Sequence, residues 1–312
     1  MEKLSIVIAT ISDSIATNFT LAQIIFQLEQ SELDYEIILV DNGSSDEDKA
    51  NLQGFLDYHK NFPIQYYEHE IKGTIPPHSF GVEKATGKYI VGFDPHVVIS
   101  PNWFTVMLQT LQEKQKDGFE VIFSPFGVGS MQKKGLDYIG GSDLIRPNPF
   151  GRTNGQGQSC KLGDIPYPVL SNSINGFIST KQWLLKIGNM FPEAFVKAGG
   201  HTAESLLIGI PTWMFGKKCL IQPAVVVEHP VYRVRYGEGR SANMHLSMAT
   251  GAYICGGQYY LDEMPYQYGK YVDGDLEEIP ILAVQAREYI KTNAKITLEE
   301  LIKNWEEIRY AK

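Results

Sequence analysis

An aspartate and a histidine two residues apart, Asp94-Pro95-His96, follow the apolar run Tyr89-Ile90-Val91-Gly92-Phe93. Extended chain places residues i and i+2 on one side, so a carboxylate oxygen and an imidazole nitrogen can close on one divalent cation. Crevices at the carboxyl ends of parallel strands commonly hold ligands, and a metal site at this strand end fits such a crevice. The competing reading of the same tripeptide is an Asp-Pro turn with a solvated histidine.

The surrounding elements must supply that strand end. Leu4 to Ala9 and Tyr35 to Val40 are apolar runs of strand length, the second closing on the polar loop Asp41-Asn42-Gly43-Ser44-Ser45-Asp46. Asn18 to Leu28 has helical spacing. A helix over Asp48 to Tyr58, a strand over Ile64 to Tyr67 and a helix over Pro77 to Ala85, ended by Gly87, lead into the strand Tyr89 to Phe93. Pro101-Asn102-Trp103 opens a helix to Gln115, and Val121 to Ser124 is a further strand. This alternation predicts an α/β fold whose central, mostly parallel sheet is flanked by helices. Later come helices over Lys181 to Ile187 and Ser205 to Phe215. An apolar strand then runs through Cys219-Leu220-Ile221 and Ala224 to Val227, closing on Glu228-His229-Pro230. Thr297-Leu298-Glu299-Glu300 is a capping-box pattern, opening an amphipathic helix that buries Leu298, Leu301, Ile302 and Trp305.

With 312 residues, 43% hydrophobic and 21% charged, the chain has ordinary globular composition. A net charge of -8 argues against a general polyanion-binding surface, while leaving room for a local basic patch. Cys160, Cys219 and Cys255 are widely spaced and form no CxxC pair, so neither a disulfide framework nor a zinc knuckle is expected, and a reducing cytoplasm fits best. The first residues run straight into a strand without the pattern of a signal peptide, and no stretch approaches the roughly 20 apolar residues that span a bilayer. The expectation is a soluble chain, complete as it stands. Gly140 to Gly163, rich in turn signals, reads as a long functional loop.

Four segments in this order resemble the GT-A glycosyltransferases: the SIVIAT strand, EIILVDNGSSDED, GVEKATGKYIVGFDPHVVISPNWF, and NGFIST followed by GGHTAESLLIG. Within that fold family the pattern is most similar to the polypeptide N-acetylgalactosaminyltransferases, whose metal motif is D-x-H and whose site is completed by a later histidine. The resemblance spans residues 1 to about 240. It implies a catalytic domain over 1–240, with a nucleotide-binding half over 1–125 and an acceptor half over 126–240. Residues 241–312 would be a C-terminal lid and helical extension packed on the same domain.

What the resemblance implies for single residues follows by position. Asp94, His96 and His229 would hold manganese or magnesium, which offsets the charge growing on a nucleoside-diphosphate leaving group. Asp41 would meet the uridine or its ribose, although an Asx-turn or helix cap fits its loop equally well. Thr10 and Asp13 would border the same pocket. His78 stands where related enzymes often carry an arginine. Glu204 follows Gly199-Gly200 as the acidic residue of the related transferases follows its glycine pair; a helix-terminal Glu favoured by the dipole is its alternative. Inverting GT-A enzymes generally show Glu-Asp there, whereas this chain has Glu204-Ser205; the resemblance to the retaining N-acetylgalactosaminyltransferases favours retention of configuration, with Glu204 as the base of an inverting reaction as the alternative. Beyond His229, Tyr232, Arg233 and Arg235 would grip the diphosphate, with Gly237-Glu238-Gly239 as hinge. The activity expected is hexosyl transfer from a UDP-sugar, N-acetylhexosamine or glucose, to an acceptor hydroxyl on a glycan, a protein or a modified DNA base. The alternatives are a phage-type DNA glycosyltransferase acting on a hydroxymethylated base and a catalytically inactive sugar-nucleotide or carbohydrate-binding module. A nicotinamide dehydrogenase is disfavoured, since no G-x-G-x-x-G follows an early strand.

Overall fold

The computed structural model describes residues 2–128, 138–139, 159–160, 163, 165–200, 203–229, 239–257 and 281–310. Its first half alternates β1 (Leu4–Thr10), α1 (Ser14–Glu29), β2 (Tyr35–Asp41), α2 (Asp46–Tyr58), β3 (Ile64–Glu68), α3 (Ile75–Lys84) and β4 (Tyr89–Phe93). There follow β5 (Val98–Ile99), α4 (Trp103–Lys114), β6 (Phe119–Phe123), β7 (Phe126–Val128), β8 (Tyr138–Ile139), β9 (Ser159–Cys160), β10 (Tyr167–Pro168), β11 (Phe177–Thr180) and α5 (Lys181–Lys186). The chain then continues through α6 (Glu204–Met214), β12 (Lys218–Ile221), β13 (Val227–His229), α7 (Gly239–Gly256), α8 (Ile281–Asn293), α9 (Leu298–Lys303) and α10 (Trp305–Tyr310).

The main sheet has the order β10-β12-β6-β11-β4-β1-β2-β3. β1 pairs in parallel with both β2 and β4, β2 with β3, and β12 with β6, whereas β11 runs antiparallel between β4 and β6. The chain leaves β1 towards β3 and returns on the other side for β4. That reversal opens a crevice at the carboxyl ends of β1 and β4, where open α/β sheets hold ligands. A second sheet, β5-β13-β7-β8-β9, stands beside it.

Strand periodicity divides the core between the two faces of the main sheet. Ile6, Ile8, Ile37, Leu39, Val91 and Phe93 pack with α1 and α4, and the alternate residues Val7, Ile38, Val40 and Ile90 pack with α3 and α6. All are fully or almost fully buried, as doubly covered strands require.

Four expectations need correction. α1 begins at Ser14 rather than Asn18, with Asp13 at the N-cap position. The apolar run 219–227 is two strands, because Gln222 and Pro223 end β12 and β13 belongs to the other sheet. The C-terminal segment is two short helices rather than one, and Ile302 is half-exposed while Leu298, Leu301 and Trp305 are buried. Its capping box is present, with Thr297 Oγ1 accepting from Glu300 N–H and the Glu300 carboxylate from Thr297 N–H. α3 begins two residues before Pro77, at Ile75.

At the opposite end of the sheet from the crevice, Glu36 is 1% exposed and accepts hydrogen bonds from Ser5 Oγ (2.6 Å), Thr86 N–H (2.6 Å), Lys3 Nζ (2.9 Å) and Gln65 Nε2 (3.0 Å). Burial alone would raise its carboxyl; these donors outweigh burial and lower it from 4.5 to about 2. A depressed folded-state value contributes stability above pH 4.5 that is lost as pH falls towards 2, on the order of 3 kcal/mol. Glu36→Gln leaves donors facing an amide and is expected to cost about 2–4 kcal/mol at pH 7. Urea unfolding from pH 7 down to pH 2 checks both points: wild type loses stability steeply below pH 4.5, and the variant shows a shallower dependence.

Candidate metal centre

β4 ends at Phe93, and the next residues, Asp94 and His96, enter the crevice. His229 comes from the other sheet. β5 follows His96 directly, and the antiparallel pairs Val227–Ile99 and Glu228–Val98 carry His229 back alongside it. One donor atom from each of Asp94, His96 and His229 lies within 4.8 Å of the others. His96 Nε2 is 3.0 Å from His229 Nε2, which is 3.2 Å from Asp94 Oδ2. The two rings meet edge to face, with centroids 4.6 Å apart.

Supporting residues fix two of the donors, His96 and Asp94. Asp13 Oδ2 lies 2.8 Å from His96 Nδ1. A carboxylate can only accept, so that nitrogen carries the proton and the neutral ring presents its Nε2 lone pair to the centre. Asp13 is the N-cap of α1, yet its side chain makes no capping hydrogen bond. A cap of this type contributes about 1 kcal/mol, and here the carboxylate is directed to His96 instead. Asp94 is clamped by Asn175, whose Nδ2 donates to Asp94 Oδ2 and whose Oδ1 accepts from Asp94 N–H, both at 2.7 Å. The antiparallel pairing of Phe177 with Gly92 sets Asn175 opposite Asp94. Gly176, at φ +85°, makes that approach possible, since a Cβ there would lie 2.4 Å from Ser124 Oγ. Burial raises the Asp94 carboxyl, but the hydrogen bond and charge of His229, with His96 and His78 behind it, hold it below the usual carboxylate range.

The donor set suits a divalent ion. Neighbouring corners of an octahedron with bonds of about 2.1 Å stand about 3.0 Å apart, which matches the spacing of the two Nε2 atoms. One carboxylate oxygen and two imidazole nitrogens form a mixed set that manganese accepts.

The other expected residues take varied places. Thr10 is 2% exposed, and its hydroxyl meets Thr17 Oγ1 at 2.8 Å. Asp41 is fully buried: Oδ1 accepts from Gly43 and Ser44 N–H, and Oδ2 from the Tyr66 hydroxyl at 2.8 Å. This is the Asx-turn geometry, so a nucleoside contact to Asp41 would have to compete with Tyr66. His78 is buried with Nδ1 2.8 Å from Thr74 O and Nε2 3.3 Å from Phe93 O, the carbonyl just before Asp94. It lies behind Asp94 at the end of β4, where a neutral ring can donate to one of the two carbonyls. Glu204 is the first residue of α6, in the dipole position. The loop before it is fixed to α3, because Gly199 O accepts from Thr74 N–H at 2.7 Å. The approach requires Gly73, at φ +142°, where a Cβ would lie 2.0 Å from that oxygen. Tyr232, Arg233 and Arg235 lie outside the described residues. Asn175 is a site residue that sequence reasoning missed; its signal was an Asn-Gly step ahead of an apolar strand, whose pairing with β4 the sequence does not show.

Residues 5–160 match the family model described as "Glycosyl transferase family 2". The putative polypeptide N-acetylgalactosaminyltransferase 13 of Drosophila melanogaster is 23% identical over 235 residues, covering 71% of this chain and 40% of the fly protein. The crystal structure of GalNAc-T7 with UDP, GalNAc and Mn2+ aligns at a TM-score of 0.64 with 17% identity, over 99% of this chain and 58% of that one. The chain thus spans about half the length of these relatives, and the likeness establishes the GT-A fold.

Asp13→Ser separates metal binding from stability. Serine can cap α1, so the melting temperature is expected to hold or rise, while Mn2+ affinity, read by EPR titration of the free ion, falls about 10–100-fold. Unchanged affinity would remove Asp13 from the centre.

Proposed function

The chain belongs to glycosyl transferase family 2, and on that premise we propose that it transfers a sugar, N-acetylhexosamine or glucose, from a UDP-sugar to an acceptor hydroxyl with retention of configuration. The observation that carries this reading is the convergence of Asp94, His96 and His229 at the crevice between β1 and β4. It is supported by the GalNAc-T7 crystal structure, in which the same fold is found with UDP, GalNAc and Mn2+. A divalent cation bound by these three residues would offset the negative charge that develops on the diphosphate as the glycosidic bond breaks.

The chain's own residues prepare that step. Asp13 keeps the proton of His96 on Nδ1, and Asn175 holds the Asp94 carboxylate in one orientation before any donor arrives, so that little reorganisation accompanies reaction. Thr10, Asp41 and His78 support the nucleotide side of the crevice. Tyr232, Arg233 and Arg235 would hold the diphosphate oxygens and exclude water. Glu204 would accept a hydrogen bond from the acceptor hydroxyl and orient it for attack. Retention is favoured because Ser205 stands where an inverting enzyme of this fold generally places its aspartate base. No helix among the described residues is long and apolar enough to cross a membrane. Cys219 and Cys255 are free, buried thiols, which supports a reducing, cytoplasmic site of action.

Release of UDP from a panel of UDP-sugars, with manganese or with EDTA, tests this reading. One donor is expected to be hydrolysed in a metal-dependent manner, and Asp94→Ala is expected to lower the rate at least about 100-fold. Absence of turnover and of manganese-dependent UDP binding would favour the inactive binding module.

A further inference from the structure

α1 has two apolar faces. The inner one, with Leu21, Ile24, Ile25 and Leu28, is buried against the main sheet. The outer one carries Ile15, Phe19, Ala22 and Phe26, which are all exposed: Ile15 at 82%, Phe19 at 58% and Phe26 at 63%. Their spacing of four, three and four residues keeps them in one narrow stripe, the spacing by which one helix packs along another. Ile11, 47% exposed, extends it.

The charge pattern of this face is unusual for a chain with 21% charged residues. From Ser14 to Gln30 the one charged side chain is Glu29, and no Lys or Arg occurs between Lys3 and Lys49. Surfaces that remain in water are rich in charge, whereas the centres of protein interfaces are depleted of it and enriched in aromatics. The lack of basic residues argues against a lipid surface or a nucleic acid, since both attract Lys and Arg.

We propose that this stripe is the two-fold interface of a homodimer, with α1 of one copy packed antiparallel on α1 of a second. In that register Phe19 of one copy lies over Ala22 of the other, Ile15 packs against Phe26, and each pair occurs twice. Between Ile15 and Phe26 the paired stretch carries no charged side chain, so the pairing buries no carboxylate along its length. The exposed apolar area is roughly 500 Å² per copy, or about 1,000 Å² for the pair, the lower bound for a specific interface.

Sedimentation equilibrium of the full chain from about 1 to 100 μM tests the proposal. The expected species at the upper end has twice the 35.1 kDa chain mass. Phe19→Glu, at an exposed position that leaves the fold and the donor hydrolysis rate unchanged, is expected to weaken dimerisation at least tenfold. Adding Ala22→Lys is expected to restore it, because each glutamate then faces a lysine of the other copy. Monomer at every concentration, a dimer indifferent to Phe19→Glu, or co-flotation of wild type with phosphatidylcholine vesicles would each overturn it.

Discussion

Two imidazole nitrogens face each other across 3.0 Å beside a carboxylate oxygen at the mouth of the sheet. With the His96 proton held on Nδ1, two bare Nε2 lone pairs would face each other unless His229 carries its proton on Nε2, and doubly protonated rings would set charge against charge. A shared proton or a cation resolves the conflict, and the Asp13–His96 contact tips the balance by keeping the His96 proton on the far nitrogen. Much of the local structure follows from holding these groups in that opposition.

The three donors come from two sheets, so neither sheet alone makes the centre. β4 delivers Asp94 and His96 at the reversal point of the main sheet, and the short pairing of β13 with β5 returns His229 to the same place. Antiparallel β11 brings Asn175 against Asp94. α3 ties the remaining parts together: His78 lies against the carbonyl of Phe93, and the start of the helix binds the loop that leads to Glu204. The arrangement has a local cost at α1, where the capping carboxylate serves a histidine in place of the helix.

How much of this was legible in the chain depended on how local each feature is. Asp94 and His96 could be paired because two-residue spacing in extended chain is a local rule. The β-α-β alternation of the first half was equally legible, since each strand is a short apolar run with a polar end. His229 could be joined to them only through the order of segments that resembles a known family. The Asn175 clamp was hidden because it arises from the insertion of β11 between β4 and β6, a long-range pairing that no local pattern encodes. Residues 219–227 misled for the opposite reason: the run is apolar throughout, and only Gln222-Pro223 marks the passage from one sheet to the other. The contact of Asp13 with His96 was not legible, because a helix-capping aspartate and a ligand-orienting one look alike in sequence.

Everything rests on one coordination sphere, and the most direct measurement is the electron spin-echo envelope modulation of Mn2+ bound to the full chain. Nitrogen couplings from two histidines are predicted in wild type, reduced to one in His229→Ala and to one in His96→Ala. A spectrum without nitrogen coupling, from manganese bound by water and carboxylates alone, would contradict a centre built from Asp94, His96 and His229.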